Sequence, residues 1–151
     1  VHERLKRIEM SRNKVVIDTN IWLYVVAGVP SAVRYLTQLL EQQETDMYYS
    51  AVTYIEIYSY SNLDNEKRRV FDQLLSIGKI VEVNEQISRV AADLRAARKK
   101  ETDKNLKLAD ACVAATALIQ SAVLITNDID DFKNIEQLKC LNPIDPTELN
   151  G

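Results

Sequence analysis

Val15-Val16-Ile17-Asp18-Thr19-Asn20 and Val123-Leu124-Ile125-Thr126-Asn127-Asp128 are two short apolar runs that each end in a carboxylate. As buried parallel strands they would release Asp18 and Asp128 at their carboxyl ends, the edge where open α/β sheets place ligands and catalytic groups. Two more acids lie in helix-like segments: Glu56 in Thr53-Tyr54-Ile55-Glu56-Ile57, and Asp110 in Leu108-Ala109-Asp110-Ala111-Cys112-Val113-Ala114. Apolar residues surround Asp110 on every side of its helix, so that helix is buried and its carboxylate needs a partner. No basic residue lies between Leu108 and Ile119. A divalent cation shared by Asp18, Glu56, Asp110 and Asp128 would serve instead.

Acids held around a hard cation can activate water for hydrolysis, and phosphodiesters are one substrate class that such a site can serve. One or two Mg²⁺ or Mn²⁺ ions make a water nucleophilic near neutral pH and compensate charge on the attacked phosphate, with no protein general base. The single histidine, His2, sits in a charged leader, which argues against a two-histidine ribonuclease and against a Ser/His/Asp hydrolase. A haloacid-dehalogenase-type phosphatase also opens on a strand ending in Asp, but its general acid falls two residues later, where this chain has Asn20. Each acid taken singly reads as a turn residue, helix cap or solvated helix face. The constellation carries the argument.

Asp18-Thr19-Asn20, the Glu56 helix, the Ala-rich helix opening at Asp110 and Thr126-Asn127-Asp128-Ile129-Asp130-Asp131-Phe132 resemble the four signature blocks of a PIN-domain ribonuclease. The most similar subgroup is the VapC-like toxins of bacterial and archaeal toxin–antitoxin pairs, and the resemblance runs from about Lys14 to about Pro143. It implies a PIN-like three-layer α/β/α fold with a central parallel sheet. It also implies a metal-dependent endoribonuclease using Asp18, Glu56, Asp110 and Asp128, with Thr19, Asn20 and Thr126 orienting those acids. The fourth acid of the pattern reads as Asp128 or as Asp131. The same resemblance implies an RNA substrate, a VapB-like antitoxin and a homodimer. A housekeeping RNA-processing PIN nuclease would show the same acids, and a non-catalytic PIN-like interaction module would lack one.

Length and composition fit this reading. A chain of 151 residues with 46% hydrophobic and 27% charged residues reads as an ordinary soluble globule, large enough for one core. No apolar run approaches the ~20 residues needed to span a bilayer, and the start lacks the apolar core of a signal peptide, so a cytoplasmic protein is expected. Cys112 and Cys140 lack zinc or disulfide spacing and read as packed thiols. The net charge of −3 turns to +1 once the four negative charges of the proposed ligands are neutralised. Basic residues gather at Lys67-Arg68-Arg69 and at Arg95, Arg98, Lys99, Lys100, Lys104 and Lys107. The second group leads into Asp110 and is either a phosphate-binding surface or a solvated helix face.

The elements that must position these groups follow from periodicity and punctuation. Residues 1–13 read as a leader, either a native extension or a tag, with Met10 as an alternative start; 14–145 form the domain and 146–151 a tail. Helices are expected over 21–27, over 31–43 with Ser31 as N-cap, around Glu56, over 65–77, over 84–100 with Asn84 as N-cap, and around Asp110. Strands are expected at 15–17, 47–50, 79–83 and 122–126. Five tyrosines, Tyr48, Tyr49, Tyr54, Tyr58 and Tyr60, crowd the Glu56 helix as core or as a contact surface, to which Trp22 and Tyr24 would add.

Overall fold

The computed structural model describes residues 13–149; residues 1–12 of the expected leader, with His2 and Met10, and residues 150–151 lie outside the described residues. Strands and helices alternate as β1 (Asn13–Ile17), α1 (Thr19–Val26), α2 (Pro30–Glu41), β2 (Thr45–Ser50), α3 (Ala51–Tyr58), α4 (Asn65–Leu75), β3 (Lys79–Val81), α5 (Glu85–Thr102), α6 (Leu108–Gln120), β4 (Val123–Ile125) and β5 (Cys140–Leu141). Single turns of 3-10 helix cover Ile129–Phe132 and Pro146–Leu149. All strands are parallel in the order β3-β2-β1-β4-β5. The chain leaves β1 toward β2 on one side and returns to β4 on the other, so the strand order reverses between β1 and β4. A crevice opens at the carboxyl ends of such a pair.

Alternation along β1 separates two apolar layers. Val15 and Ile17 join Ile21, Trp22, Leu36, Met47, Tyr49, Ile57 and Phe71 under α1 to α4. Val16 faces the other way, onto Val113, Ala114, Ala117, Leu124 and Phe132, and α5 seals α6 through Ile87, Ala91, Leu106, Ala111, Cys112 and Ala115. The expected three-layer α/β/α architecture is therefore present. The alanines of α6 let its backbone lie close to both the sheet and α5. No helix of the described residues is long and apolar enough to cross a membrane.

Several boundaries differ from expectation. α1 starts at Thr19, two residues early, because the Asp18 side chain caps it. α2 starts at Pro30, whose fixed φ suits a first helical position. Ser31 is not its cap: the Ser31 amide donates to Glu148 Oε2 at 2.8 Å and its hydroxyl accepts from the Asp145 amide at 3.0 Å. The C-terminal turn is thereby fastened to the start of α2. The inward face of α2 is Ser31, Ala32, Leu36 and Leu39, while Val33 and Leu40 point outward. Asn84 does cap α5, accepting from the Ile87 amide at 2.9 Å. β5, two residues long, carries too little periodicity to be expected from sequence.

Candidate active site

Asp18 sits where β1 gives way to α1, and both neighbours fix it. Its amide donates to the Ile125 carbonyl at 2.9 Å, which extends the β1–β4 pairing by one bond. Its Oδ1 accepts from the Thr19 amide at 2.9 Å and its Oδ2 from Thr126 Oγ1 at 2.8 Å. Asn20 Nδ2 lies 3.5 Å from the same Oδ2 and donates to Asp128 Oδ2 at 3.0 Å. Thr126 is fully buried, and its hydroxyl also accepts from the Asp128 amide at 3.0 Å. Thr126 and Asn20 therefore join the acid after β1 to the acid after β4.

Glu56 reaches the same rim from α3, whose start is capped by Ser50 accepting from the Val52 amide. Glu56 Oε1 accepts from Thr19 Oγ1 at 2.7 Å, and Thr19 Oγ1 lies 2.9 Å from Oγ1 of the fully buried Thr53. A hydroxyl has one proton to give. With Glu56 ionised, Thr19 gives it to Glu56, and Thr53 donates to Thr19. The apolar neighbours of Glu56 do not enclose it: Tyr54 and Ile55 are 45% and 63% exposed, and Glu56 itself is exposed.

Asp110 lies in the first turn of α6. It is half-buried and shares the rim with the others: Glu56, Asp128 and Asp131 all raise its pKa through their charge, and Asp110 and Glu56 do the same to Asp18. The two candidates for a fourth acid divide between partners. Asp128 takes the Asn20 amide, whereas Asp131 is the charge that acts most strongly on Asp110.

Burial, aided by the neighbouring carboxylates, raises Asp18 from 3.8 to about 6, against the pull of the Thr126 and Thr19 hydrogen bonds. Asp110 rises to about 6 by burial first, then by Asp131, with Lys107 opposing. The ion pairs of the described residues, Arg34–Glu148, Arg89–Glu85 and Lys133–Asp130, all lie elsewhere. The acids are within Coulombic reach of one another, yet among the described residues no three of His, Cys, Asp and Glu are drawn in to metal-ligand spacing. The donors are all hard oxygens, with no thiol or imidazole among them, and that set fits Mg²⁺ or Mn²⁺ rather than zinc or copper.

Three of the basic residues before Asp110 bond neighbouring groups of the chain. Arg95 Nε donates to the Leu106 carbonyl at 3.0 Å, and Arg98 Nη2 to the carbonyls of Asp131 and Lys133 at 3.2 and 2.8 Å. Lys99 Nζ lies 3.2 Å from Asn105 Oδ1. Lys107 acts through its charge on Asp110. Trp22 is fully buried against Tyr49, edge to face at 5.9 Å, and belongs to the core, as does Tyr49. Sequence reasoning missed Thr53, whose place three residues before Glu56 puts it on nearly the same helix face. It also missed Asn127 and Asn142. Asn127 donates to Tyr24 Oη at 3.3 Å and its amide to Asn20 Oδ1 at 3.2 Å, while Asn142 Nδ2 reaches the Asn127 side chain at 3.2 Å. Nothing in the local sequence marks Asn142, because its partner lies across the β4–β5 connection.

The PIN domain profile matches residues 15–138. No curated relative matches the sequence. Among solved structures, VapBC2 of Rickettsia felis, bound to a DNA fragment from its promoter, superposes with a TM-score of 0.74 at 23% identity over 85% of this chain and 98% of that one. VapBC-1 of nontypeable Haemophilus influenzae gives 0.71 at 25% over 86% and 98%. A toxin–antitoxin complex from Klebsiella pneumoniae gives 0.68 at 26% over 87% and 98%. With the profile spanning most of its length and these structures sharing its topology, the chain belongs to the PIN-domain family as a VapC-like member.

Proposed function

We propose that the chain is a Mg²⁺- or Mn²⁺-dependent endoribonuclease, the toxin of a VapBC-type pair, acting in the cytoplasm as a homodimer and restrained by a VapB-like antitoxin. The observation that carries this reading is the set of four carboxylates, Asp18, Glu56, Asp110 and the acid of the 128–131 turn, at the carboxyl edge of β1 and β4 with no ion pair among the described residues. Asp18, Glu56 and Asp110 would hold the cation, with Asp128 or Asp131 as the fourth ligand. A bound Mg²⁺ or Mn²⁺ lowers the pKa of water and offsets charge on the phosphate. Thr126 and Asn20 keep the Asp18 and Asp128 oxygens oriented, Thr19 holds Glu56, and the buried Thr53 holds Thr19. Lys107 offers a positive charge for a phosphate beside Asp110.

The antitoxin reading draws on the toxin–antitoxin neighbours at 25–26% identity. Support for the homodimer is an apolar groove of about 510 Å³ between α3, α5 and α6, lined by Val52, Ile55, Val83, Ala91, Leu108 and Cys112. Ile55 and Leu108 on it are each 63% exposed, an unusual load of apolar surface for a lone chain.

Incubation of the purified protein with an end-labelled unstructured RNA and Mn²⁺ tests the enzymatic reading. Cleavage to internal fragments is expected, abolished by EDTA and by Asp18→Asn. Cleavage that persists in both would overturn it.

A further inference from the structure

We infer that Arg98 is a positioning residue that sets the fourth acid by clamping the turn on which Asp131 stands. The inference rests on the metal-dependent nuclease reading above. Arg98 lies one turn before the end of α5 and is half-buried. Its Nη2 donates to two backbone carbonyls at once, Asp131 at 3.2 Å and Lys133 at 2.8 Å. These carbonyls flank Phe132, which is 3% exposed and packed in the layer with Val16, Val113 and Leu124.

The turn is thus pinned at adjacent points by an apolar anchor facing in and a cationic donor bonding its last carbonyls. A positive charge at the carbonyl end of a helical turn is favourable in its own right. The Asp131 amide donates to the Asp128 carbonyl at 3.0 Å, so both candidate acids ride on the clamped segment. Asp131 is also the charge Asp110 feels most. The start of the turn is held separately, by Asn20 and Thr126 at Asp128, and nearer Asp131 stands the Lys133–Asp130 pair, whose side chains are 63% and 84% exposed. Exposed pairs of that kind hold little. Without the guanidinium, Asp131 would keep its backbone attachment at Phe132 but lose the bonds that fix its distance from Asp110.

Lysine cannot substitute fully, because its ammonium ends one bond short of Nη2. The aliphatic stem of Arg98 borders a cleft of about 490 Å³ together with Leu94, Ala97, Asn134 and Ile135. Truncation to alanine therefore opens a solvent-connected space in which a small guanidinium ion can sit.

The test uses the full chain and Mn²⁺ itself. Apparent Mn²⁺ affinity is read from Mn²⁺ electron paramagnetic resonance, and cleavage is read as a function of Mn²⁺. Arg98→Met, which keeps the stem, is expected to weaken Mn²⁺ binding by about 10- to 100-fold, while cleavage at saturating Mn²⁺ returns toward the wild-type rate. Arg98→Lys should recover part of the affinity, and millimolar methylguanidinium should restore binding to Arg98→Ala but not to Asp131→Asn. Asp131→Asn combined with Arg98→Met should bind no more weakly than Asp131→Asn alone. Wild-type Mn²⁺ affinity in a folded Arg98→Met, beside weakened binding in Asp131→Asn, would overturn the clamp and leave the nuclease reading standing. A wild-type protein that takes up no Mn²⁺ would overturn both.

Discussion

Thr126 Oγ1 donates to Asp18 Oδ2 at 2.8 Å across 108 residues of chain, and the same oxygen accepts from the Asp128 amide at 3.0 Å. One buried hydroxyl thus fixes the relative positions of two acids that follow different strands. Thr126→Val keeps the shape and removes both bonds. It should destabilise the fold by about 1–3 kcal/mol in urea titration, since the oxygen of the buried Asp18 and the part-buried Asp128 amide each lose a partner. Cleavage should fall by about 10- to 100-fold. Thr126→Ser should retain most of both, and a valine variant with full activity would remove Thr126 from the site.

Asp18 is 7% exposed and its pKa rises from 3.8 unfolded to about 6 folded. The folded state therefore binds the extra proton between those values, and the stability tied to Asp18 is present below pH 4 and lost as pH climbs through 6. The rise corresponds to about 3 kcal/mol at most. In EDTA, Asp18→Asn should melt higher than wild type at pH 8 and show little advantage at pH 4.5. An asparagine variant that is less stable at pH 8 would mean that the carboxylate is compensated in a way this geometry does not reveal.

Thr53 has no contact with solvent, and its hydroxyl serves only the Thr19–Glu56 relay among the bonds described. Thr53→Val should leave Thr19 free to rotate away from Glu56. The expected result is a cleavage rate lower by about tenfold with a melting temperature within a few degrees of wild type. Thr53→Ser should behave as wild type, and equal loss in both variants would point to packing rather than to the hydroxyl.

What could be read from the sequence depends on the range over which each signal acts. The apolar runs before Asp18 and Asp128 and the all-round apolar helix at Asp110 report burial locally, so the central strands, α6 and the rim position of the acids were legible. Asn84 was legible as a cap because its partner, Ile87, is three residues away. Ser31 was misread because its partners, Asp145 and Glu148, lie over a hundred residues downstream. Arg95 and Arg98 stayed open between a phosphate-binding surface and a solvated helix face for the same reason: a charge count cannot show that a guanidinium bonds the carbonyls of Leu106, Asp131 and Lys133. Trp22 stayed open between core and contact surface because it stands beside a candidate catalytic block, whereas α1 turns it onto Tyr49.

Ile55 and Leu108 stand on either side of the groove between α3, α5 and α6, each 63% exposed. If that face joins two copies, Ile55→Asp should yield a monomer at micromolar concentration in light scattering, because a buried unpaired carboxylate opposes association by several kcal/mol. Its circular dichroism should be unchanged, since the wild-type side chain faces solvent in the single chain. A wild-type mass of 17.2 kDa would remove the dimer outright.

Asp18 and Asp110, both raised to about 6, must give up their protons before they can serve as ligands. A cation that binds only the folded state stabilises it by mass action and relieves repulsion among the carboxylates. At pH 8, Mn²⁺ at about a hundred times its dissociation constant should raise the melting temperature by about 5–10 °C for a domain of this size. At pH 5 two protons compete with the metal, each lowering the affinity about tenfold, so the same Mn²⁺ concentration should leave little of that shift. Asp131→Asn removes the charge that acts most on Asp110, so the pH at which the Mn²⁺ effect appears should move down even as the maximum affinity falls. Differential scanning calorimetry across pH 5–8, with and without Mn²⁺, reads both quantities. A shift independent of pH would show that neither carboxylate is a ligand.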